Sequence, residues 1–264
     1  MTDQKKYTTK LAGQHVLIVG GSSGIGLGLA EALLEHGARV TIASSNAQRL
    51  ATAVSQLSSA YPSAASKHFI ASHACDLGDP ATLEDNIAAL FAATAPLQHV
   101  VFTAGEALHT VPLQELDVGK AQAAGTVRFF APLLVAKHAA RALPATAGSS
   151  ITLTSGSSGD RPPMANWGLI AAYAAGLFGM ARGLAVDLRP RRVNVVAPGA
   201  VDTPLWAASV GEQQREALMK GVGEGLLTGE VGRVEQVVEA YLWCLKDRFV
   251  TGEVVRTNGG ALIA

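Results

Sequence analysis

The sequence predicts an α/β fold in which one parallel, seven-stranded sheet carries helices on both faces. Strand-like apolar runs alternate with helical patterns along the chain, as they do in doubly wound sheets. A glycine-rich turn joins the first strand to the first helix, and 48% of the residues are hydrophobic while only 16% are charged. Such a composition allows one large core, so we expect a single domain at residues 11–264 after a flexible leader at residues 1–10.

Seven strands and seven helical stretches are predicted in alternation, and seven strands fit one open sheet without a second domain. The predicted strands are His15–Val19, Arg39–Ala43, His68–Cys75, His99–Thr103, Ser150–Thr154, Arg192–Val196 and Glu253–Thr257. The predicted helices lie near Ile25–His36, Ala47–Ser58, Thr82–Ala93, Leu113–Leu143, Gly168–Asp187, Gly211–Lys220 and Val234–Leu245.

The charge of the chain is balanced, with 21 basic and 21 acidic residues. No net field would attract nucleic acid or an anionic membrane, so neither is expected as a partner. Two cysteines, Cys75 and Cys244, cannot form a disulfide framework, and neither has metal-ligand spacing to a histidine. The polar start of the chain lacks the hydrophobic segment of a signal peptide. We therefore expect a cytoplasmic protein that acts on a small molecule and binds no metal.

One uncharged stretch, residues 164–181, approaches the length of a membrane span. Its asparagine, glycines and many alanines make it only weakly hydrophobic. A helix that is apolar on all sides also results when a sheet covers one side and a partner subunit covers the other. We interpret the stretch in that second way.

The first predicted strand runs directly into the glycine-rich turn, and a helix follows at once. Gly20, Gly24 and Gly26 permit a tight turn, the approach of the backbone to a pyrophosphate and close packing of helix on strand. The start of the helix presents N–H groups and its positive dipole end to phosphates. The context predicts a dinucleotide site, and the other turn residues expected to line it are Ser22, Ser23 and Ile25.

The spacing of these glycines resembles that of the short-chain dehydrogenase/reductase family, and further family markers follow in order over essentially the whole chain. They are Asp76-Leu77, Thr103-Ala104-Gly105, Arg192-Val193-Asn194, Pro198-Gly199, Val201, Thr203, Thr251-Gly252 and Asn258-Gly259-Gly260. The resemblance implies a Rossmann fold with strand order 3-2-1-4-5-6-7. It also implies that Asp76 and Leu77 contact adenine, that Ala104 and Gly105 line the cleft, and that residues 198–203 cover the nicotinamide.

Cofactor choice is expected to depend on the end of the second strand. An NAD site places a carboxylate there for the ribose 2′-OH, and that charge would repel a 2′-phosphate. No acidic residue occurs between Glu35 and Asp76. Ser44, Ser45 and Asn46 can instead donate hydrogen bonds to phosphate oxygens, so the sequence favours NADP(H), although an indifferent polar turn would look the same.

The tyrosine and lysine that serve as general acid and its partner in the family are absent here. Alignment of the long helix puts Ile170 at the tyrosine position and Ala174 at the lysine position, and no lysine occurs between Lys137 and Lys220. Tyr173 lies one turn off register. We interpret it as a packing residue of that helix, while a catalytic role stays the less favoured alternative.

Two other positions are predicted to act on substrate. Ser155 matches the serine that orients the carbonyl in the family, and Arg128 stands where the family has an asparagine. A guanidinium cannot deliver a proton effectively at neutral pH, but it can hold an anion or a carbonyl. The alternative for Arg128 is an internal ion pair, with Asp160 or Asp187, that fills the space of the missing pair.

The missing acid restricts the chemistry. Hydride addition to a ketone builds negative charge on oxygen and needs a proton donor, whereas addition to an iminium carbon neutralises a charge already present. We therefore predict an NADP(H)-dependent reductase of a pre-activated, iminium-like and largely apolar substrate. A non-redox cyclisation catalyst that retains NADP(H), and a nucleotide-binding pseudoenzyme or non-catalytic subunit, remain as alternatives.

The same exchange of residues resembles the short-chain reductases of fungal indole-alkaloid pathways, some of which reduce an iminium and template a cycloaddition. The similarity rests on Arg128, Ser155-Gly156 and the proline-rich run Arg161–Trp167. It implies that Trp167 stacks on a flat cationic or aromatic substrate, although a buried aromatic at the start of a core helix would look the same. In that sub-group an aspartate precedes the tryptophan, but Met164-Ala165-Asn166 fills the run here.

Two further expectations follow from the resemblance. Residues 205–227 resemble the mobile substrate lid of the family. Members of the family pair the long apolar helices, here Leu113–Leu143 and Gly168–Asp187, across a two-fold axis, so we expect a homotetramer, or failing that a dimer.

Overall fold

The computed structural model describes residues 4–108, 110–206 and 212–264. Its strands are β1 His15–Val19, β2 Arg39–Ser44, β3 Ile70–Ala74, β4 His99–Phe102, β5 Ser150–Thr154, β6 Arg192–Pro198 and β7 Val254–Thr257. They form one parallel sheet in the order β3-β2-β1-β4-β5-β6-β7. The predicted fold class and strand order are confirmed.

Helices cover both faces of this sheet. Those within the described residues are α1 Gly24–Glu35, α2 Ala47–Ala60, α3 Pro62–Ser66, α4 Leu83–Thr94, α5 Val118–Gly125, α6 Ala131–Ala142, α7 Gly168–Asp187, α8 Glu212–Glu224 and α9 Val234–Lys246. One buried core lies between the sheet and α4, α6 and α7, and a second lies between the sheet and α1, α2 and α9. Gly211, where the lid helix was predicted to begin, lies outside the described residues.

The strand order reverses at β1, which pairs with β2 on one side and β4 on the other. Val19, the last residue of β1, is opposite Ala43 of β2 and Phe102 of β4. Because the strands are parallel, their carboxyl ends meet at one edge. The chain leaves β2 and β4 in opposite directions there, which opens a crevice of the kind in which α/β sheets bind ligands.

The continuous helix predicted at Leu113–Leu143 is wrong, because the chain breaks it twice. A 3-10 turn at Leu113–Glu115 precedes α5, and the Asp117 side chain caps α5 by accepting from the Lys120 N–H at 2.8 Å. Residues 126–130 then form a π-helical turn before α6. Pro132 lacks the N–H that would bond the carbonyl of residue 128, and the Ala131 N–H reaches back to the Thr126 carbonyl instead.

Two smaller differences precede β3. The predicted strand His68–Cys75 begins two residues later, because His68 has a left-handed backbone with φ of 56°. A short helix, α3, begins at Pro62 and fills part of the connection that was left without structure. Proline suits that position because the first turn of a helix needs no N–H donor.

Among the described helices only α7 has the length and composition to cross a membrane, and 17% of that stretch is buried within the single chain. Its inner face packs into the core through Ala174, Leu177, Phe178 and Ala181. The sheet therefore covers one side of α7, as predicted.

The described part of the leader, residues 4–10, is exposed and forms turns, and Leu11 is the first buried residue. A flexible leader and a single domain at residues 11–264 stay predictions.

Candidate active site

Two glycines of the glycine-rich turn, Gly20 and Gly26, are packed too tightly for a side chain. A Cβ added at Gly20 would lie 2.4 Å from the Ala104 nitrogen, and one added at Gly26 would lie 2.3 Å from the Gly20 carbonyl oxygen. Gly20 and Gly24 also have positive φ values of 96° and 53°. The end of β1, the start of α1 and the end of β4 therefore meet backbone to backbone, at the place predicted for a pyrophosphate.

The first turn of α1 lies at the mouth of the crevice. Ser23 is its N-cap, yet the Ser23 side chain makes no capping hydrogen bond. The N–H groups of the first turn, including that of Ile25, are therefore not capped by this residue, and such groups bind anions readily.

The end of β2 is polar, as the sequence predicts. The Ser22 hydroxyl donates to the Ser44 hydroxyl at 2.9 Å, which joins the glycine-rich turn to β2. Ser45 and Asn46 are exposed. The Asn46 side-chain oxygen caps α2 by accepting from the Arg49 N–H at 2.8 Å, so only its amide group can donate to a phosphate.

The predicted adenine contacts, Asp76 and Leu77, follow β3. The Asp76 carboxylate accepts from the Gly78 N–H at 2.9 Å and so closes a turn, while the Leu77 side chain is buried in the core. Next to β4, the Thr103 hydroxyl lies 3.2 Å from the Val19 and Gly20 carbonyls. These residues therefore shape the crevice wall mainly through their backbone.

The segment after β6 folds over the start of α1. The Gly199 N–H donates to the Thr257 carbonyl at 2.9 Å, and Val201 bridges to Gly232. Thr203 is buried, and its side chain lies 3.4 Å from the position of a Cβ at Gly24. Residues 198–203 thus form one wall of the predicted cofactor crevice.

Tyr173 faces α5, away from Ser155. Its hydroxyl donates to the Ala121 carbonyl at 2.7 Å, and its ring packs on Phe129 and Phe130 with centroid distances of 5.2 and 6.4 Å. A Cβ at Gly125 would lie 2.6 Å from the Tyr173 hydroxyl oxygen, so this glycine makes room for the ring. The contacts fit the interpretation of Tyr173 as a packing residue.

Ser155 uses its hydroxyl proton within the protein. The hydroxyl donates to the carbonyl of Ala174, the residue predicted from the sequence to stand at the family's lysine position, at 2.8 Å. The turn Ser157–Gly159 packs beside this bond, where a Cβ at Gly159 would lie 2.9 Å from the Ala174 carbonyl carbon. In this arrangement Ser155 can accept a hydrogen bond from a ligand but cannot donate one.

Arg128 lies in the π-helical turn, and its guanidinium is largely withdrawn from water. It donates to the Glu106 carbonyl, and a Cβ at Gly105 would lie 3.0 Å from its Nη1 atom. Burial lowers the pKa of Arg128, and the nearby Glu106 charge opposes that shift. The guanidinium therefore lies against the Thr103-Ala104-Gly105 segment that lines the crevice.

Arg128 has an acidic neighbour inside the protein, as its alternative interpretation expected, but Asp160 is not that neighbour. Asp160 instead pairs with Arg256 through two contacts of 2.8 and 2.9 Å. Glu106 is the residue that meets Arg128, in place of Asp160 or Asp187. Sequence reasoning missed Glu106, although its position directly after the Thr-Ala-Gly marker already placed it beside the crevice.

Trp167 is half-buried at the N-cap of α7, and its carbonyl accepts from the Ala171 N–H at 2.8 Å. Asn166 before it has a left-handed backbone with φ of 66°, which asparagine tolerates better than most residues. This turn directs the chain from the proline-rich run into α7.

A second ion pair connects the lid region to the crevice wall. Arg215 of α8 contacts the Asp202 carboxylate at 2.6 and 2.9 Å. The predicted lid, residues 205–227, can be compared with the structure only in part, because residues 207–211 lie outside the described part of the chain. Sequence reasoning missed this pair since its partners are separated along the chain and share no motif.

A model of the SDR-like Rossmann domain matches residues 7–264. This chain belongs to the short-chain dehydrogenase/reductase family. It is 43% identical to the short-chain dehydrogenase/reductase fsr5 of Gibberella fujikuroi and 40% identical to malC of Malbranchea aurantiaca, with all of each chain covered. These fungal relatives confirm the family predicted from the motifs.

Two solved structures are informative neighbours. The structure of the MalC reductase/Diels-Alderase has a TM-score of 0.91 at 39% identity, and the match covers 98% of this chain and 100% of that one. BdcA in complex with NADPH has a TM-score of 0.78 at 26% identity, with 95% of each chain covered. The first shares the fold closely with this chain, and the second shows a family member of this fold with a nicotinamide cofactor bound.

Substitution of Gly26 by alanine is expected to remove dinucleotide binding, because the new methyl group would displace the Gly20 carbonyl and open the turn. Titration of NADPH fluorescence should show at least a tenfold weaker affinity, about 1.4 kcal/mol. Gly221→Ala is the matched control, since Gly221 is exposed in α8 and a Cβ there meets nothing within 4 Å. Equal affinity of the Gly26 variant and the control would contradict the assignment of the turn.

Proposed function

We propose that the chain is an NADP(H)-dependent reductase that transfers hydride to a preformed iminium of a largely apolar secondary metabolite. The observation that carries the proposal is that the hydroxyl protons of Tyr173 in α7 and of Ser155 after β5 are already used within the protein. The Tyr173 hydroxyl and the Ser155 hydroxyl are both donated to backbone carbonyls. An electrophile that needs no proton fits such a site.

The residues of the crevice fit a dinucleotide. Gly20 and Gly26 pack too closely against neighbouring backbone for a Cβ, which brings the first turn of α1 to the crevice, and Thr203 lies against Gly24 on the other side. Ser44, Ser45 and the Asn46 amide would hold a 2′-phosphate, and no carboxylate stands there to repel it. When bound, NADPH supplies a hydride to the iminium carbon, which yields a neutral amine and NADP⁺.

Proton delivery is the step that the chain is least equipped to perform. The positions aligned with the family's acid and its lysine hold Ile170 and Ala174. Arg128 keeps its proton at neutral pH even though burial lowers its pKa. The two thiols do not replace the acid, since Cys75 and Cys244 are buried in the two hydrophobic cores.

Two residues are proposed to contact substrate. Arg128 would donate to a substrate carbonyl, with its charge balanced by Glu106, so that the guanidinium does not repel a cationic substrate. Trp167 would stack its indole on the flat cation, an interaction worth about 0.5–2 kcal/mol. Neither role requires proton transfer, in keeping with hydride addition to an iminium.

A ring-forming step is a second candidate function. It is favoured by the similarity to the MalC reductase/Diels-Alderase, which is named for both activities. A cyclisation catalyst needs a shaped, apolar crevice and no acid, so the same residues would serve. The two functions differ in whether NADPH is consumed.

Cofactor preference gives a direct test of the end of β2. NADPH is expected to bind more tightly than NADH by about tenfold or more, equivalent to about 1.4 kcal/mol. Ser45→Asp should reverse the order, because the carboxylate accepts from a ribose 2′-OH and repels a 2′-phosphate. Equal affinities of the unaltered protein for the two cofactors, measured by titration, would be evidence against NADP(H).

NADPH should be consumed with a cationic iminium acceptor and not with a neutral ketone. With dihydroisoquinolinium, a cyclic iminium, the protein is expected to oxidise NADPH, and with cyclohexanone it should not. Arg128→Met should keep NADPH affinity and lose turnover or product selectivity with a carbonyl-bearing iminium. Glu106→Gln is the matched variant, since it keeps the carbonyl that Arg128 contacts and removes only the charge.

Several outcomes would speak against this reading. If cyclohexanone were reduced as fast as the iminium, the protein would have to contain a general acid. Turnover of Arg128→Met within about twofold of the unaltered protein, under half a kcal/mol, would reject a substrate role for Arg128. A lower melting temperature together with weaker NADPH binding would make Arg128 structural.

Assembly is a further part of the proposal. Phe130, Leu133 and Val186 lie on the π turn, α6 and α7 with 41%, 43% and 63% of their surfaces exposed in the single chain. We propose that copies of the chain pair through these helices to give a homotetramer, or a dimer if only one interface forms. Sedimentation velocity at micromolar concentration should give an oligomeric mass. A monomeric mass at that concentration would refute the proposed assembly but would not bear on the proposed reaction.

A further inference from the structure

The segment that carries Trp167 has little packing of its own. We call residues 156–167 the Trp167 loop, and within it residues 160–166 are all exposed. Met164 at its centre exposes 66% of its surface. Burial therefore contributes little to the position of residues 160–166, and the polar contacts of Asp160 and Arg161 hold this part of the loop.

The first such contact joins the loop to β7. Arg256 donates to both carboxylate oxygens of Asp160, at 2.8 and 2.9 Å, and its guanidinium also lies over the Phe178 ring at 5.6 Å. A partly exposed ion pair adds little to stability. A bidentate pair nevertheless fixes orientation, because both planar groups must align.

The second contact joins the loop to residues 258–264, here called the C-terminal segment. Arg161 donates through Nη1 to the Ala261 carbonyl at 3.1 Å and to the Ala264 carbonyl oxygen at 2.7 Å. The segment is itself folded into a turn, in which Asn258 accepts from the Gly260 N–H at 3.0 Å. Neighbouring residues 160 and 161 are thus both tied to the same end of the chain.

The C-terminal segment also contacts the end of the lid region. A Cβ at Gly259 would lie 2.7 Å from the Thr228 hydroxyl oxygen, and one at Gly260 would lie 2.8 Å from the Leu227 Cβ. The Thr228 N–H donates to the Gly259 carbonyl at 3.3 Å. One short segment therefore touches both the Trp167 loop and the residues that follow α8.

We propose that the C-terminal segment is a positioning element of the substrate site, which acts through Arg161 and, together with the Asp160–Arg256 pair to β7, holds Trp167 in place. Arg161 is a positioning residue, since it contacts the segment and not the reacting atoms. The segment then determines substrate affinity and product selectivity, a consequence that rests on the proposed function. The effect on the loop itself does not.

Hydrogen–deuterium exchange tests the loop without any substrate. In Arg161→Met, the amides of residues 160, 161 and 171, which donate to the Ser157 and Trp167 carbonyls, should exchange about tenfold faster, because the loop opens more often. Arg161→Lys should partly restore protection, since one ammonium can still donate to the two carbonyls. Arg39→Met is the matched control, because Arg39 is exposed at the amino end of β2, where the sheet begins. NADPH affinity should stay within about twofold in all three variants.

The substrate arm uses NADPH and dihydroisoquinolinium with the full chain. Arg161→Met should raise KM several-fold more than it lowers kcat, and Arg161→Lys should lie between that variant and the unaltered protein. Unchanged exchange at the amides of residues 160, 161 and 171 would overturn the proposal. The proposal would also be overturned if Arg161→Met lowered the melting temperature and the NADPH affinity and if exchange became faster over the whole chain. If no variant, nor the unaltered protein, consumes NADPH, the reductase assignment fails while the exchange result still decides the role of Arg161.

Discussion

The close contact of backbones at the end of β1 is the constraint on which the site depends. Gly20 approaches Ala104 and Gly26 approaches Gly20 at distances that exclude any Cβ. This contact brings the carboxyl ends of β1 and β4 and the start of α1 to one point, where the strand order also reverses. The crevice and the uncapped first turn of α1 both follow from it, because a wider turn would separate the phosphate-binding N–H groups from the wall formed by residues 103–105.

The same contact determines where Arg128 acts. The chain leaving β4 passes from Gly105 to Glu106, whose carbonyl receives the guanidinium. Pro132 removes one helical hydrogen bond and leaves a π turn at residues 126–130, which changes the direction of the side chains on it. A regular helix would present residue 128 at a different angle. The missing N–H of Pro132 thus affects where the Arg128 guanidinium lies in the crevice.

Much of the fold was predictable, because apolar runs of strand length alternate with helices and glycines punctuate them. The middle helix was not, although Asp117 and Pro132 carried local signals that apolar periodicity outweighed. The orientation of Tyr173 and the partner of Ser155 depend on the rotation of α7 about its axis, which composition does not determine. The Asp160–Arg256 pair joins residues 96 positions apart and has no local signal at all.

The packing around α7 suggests why a single substitution would not rebuild the family's acid. Ala174 is buried, accepts from Ser155, and lies against Gly159, where even a Cβ would be 2.9 Å from the Ala174 carbonyl carbon. A lysine at position 174 would begin from a buried position, and a buried ammonium without a partner is costly. A tyrosine at position 170 alone would lack that lysine to lower its pKa. The turn at residues 157–159 and α7 form one packed unit, so the chemistry proposed here is a property of that unit and not of one missing side chain.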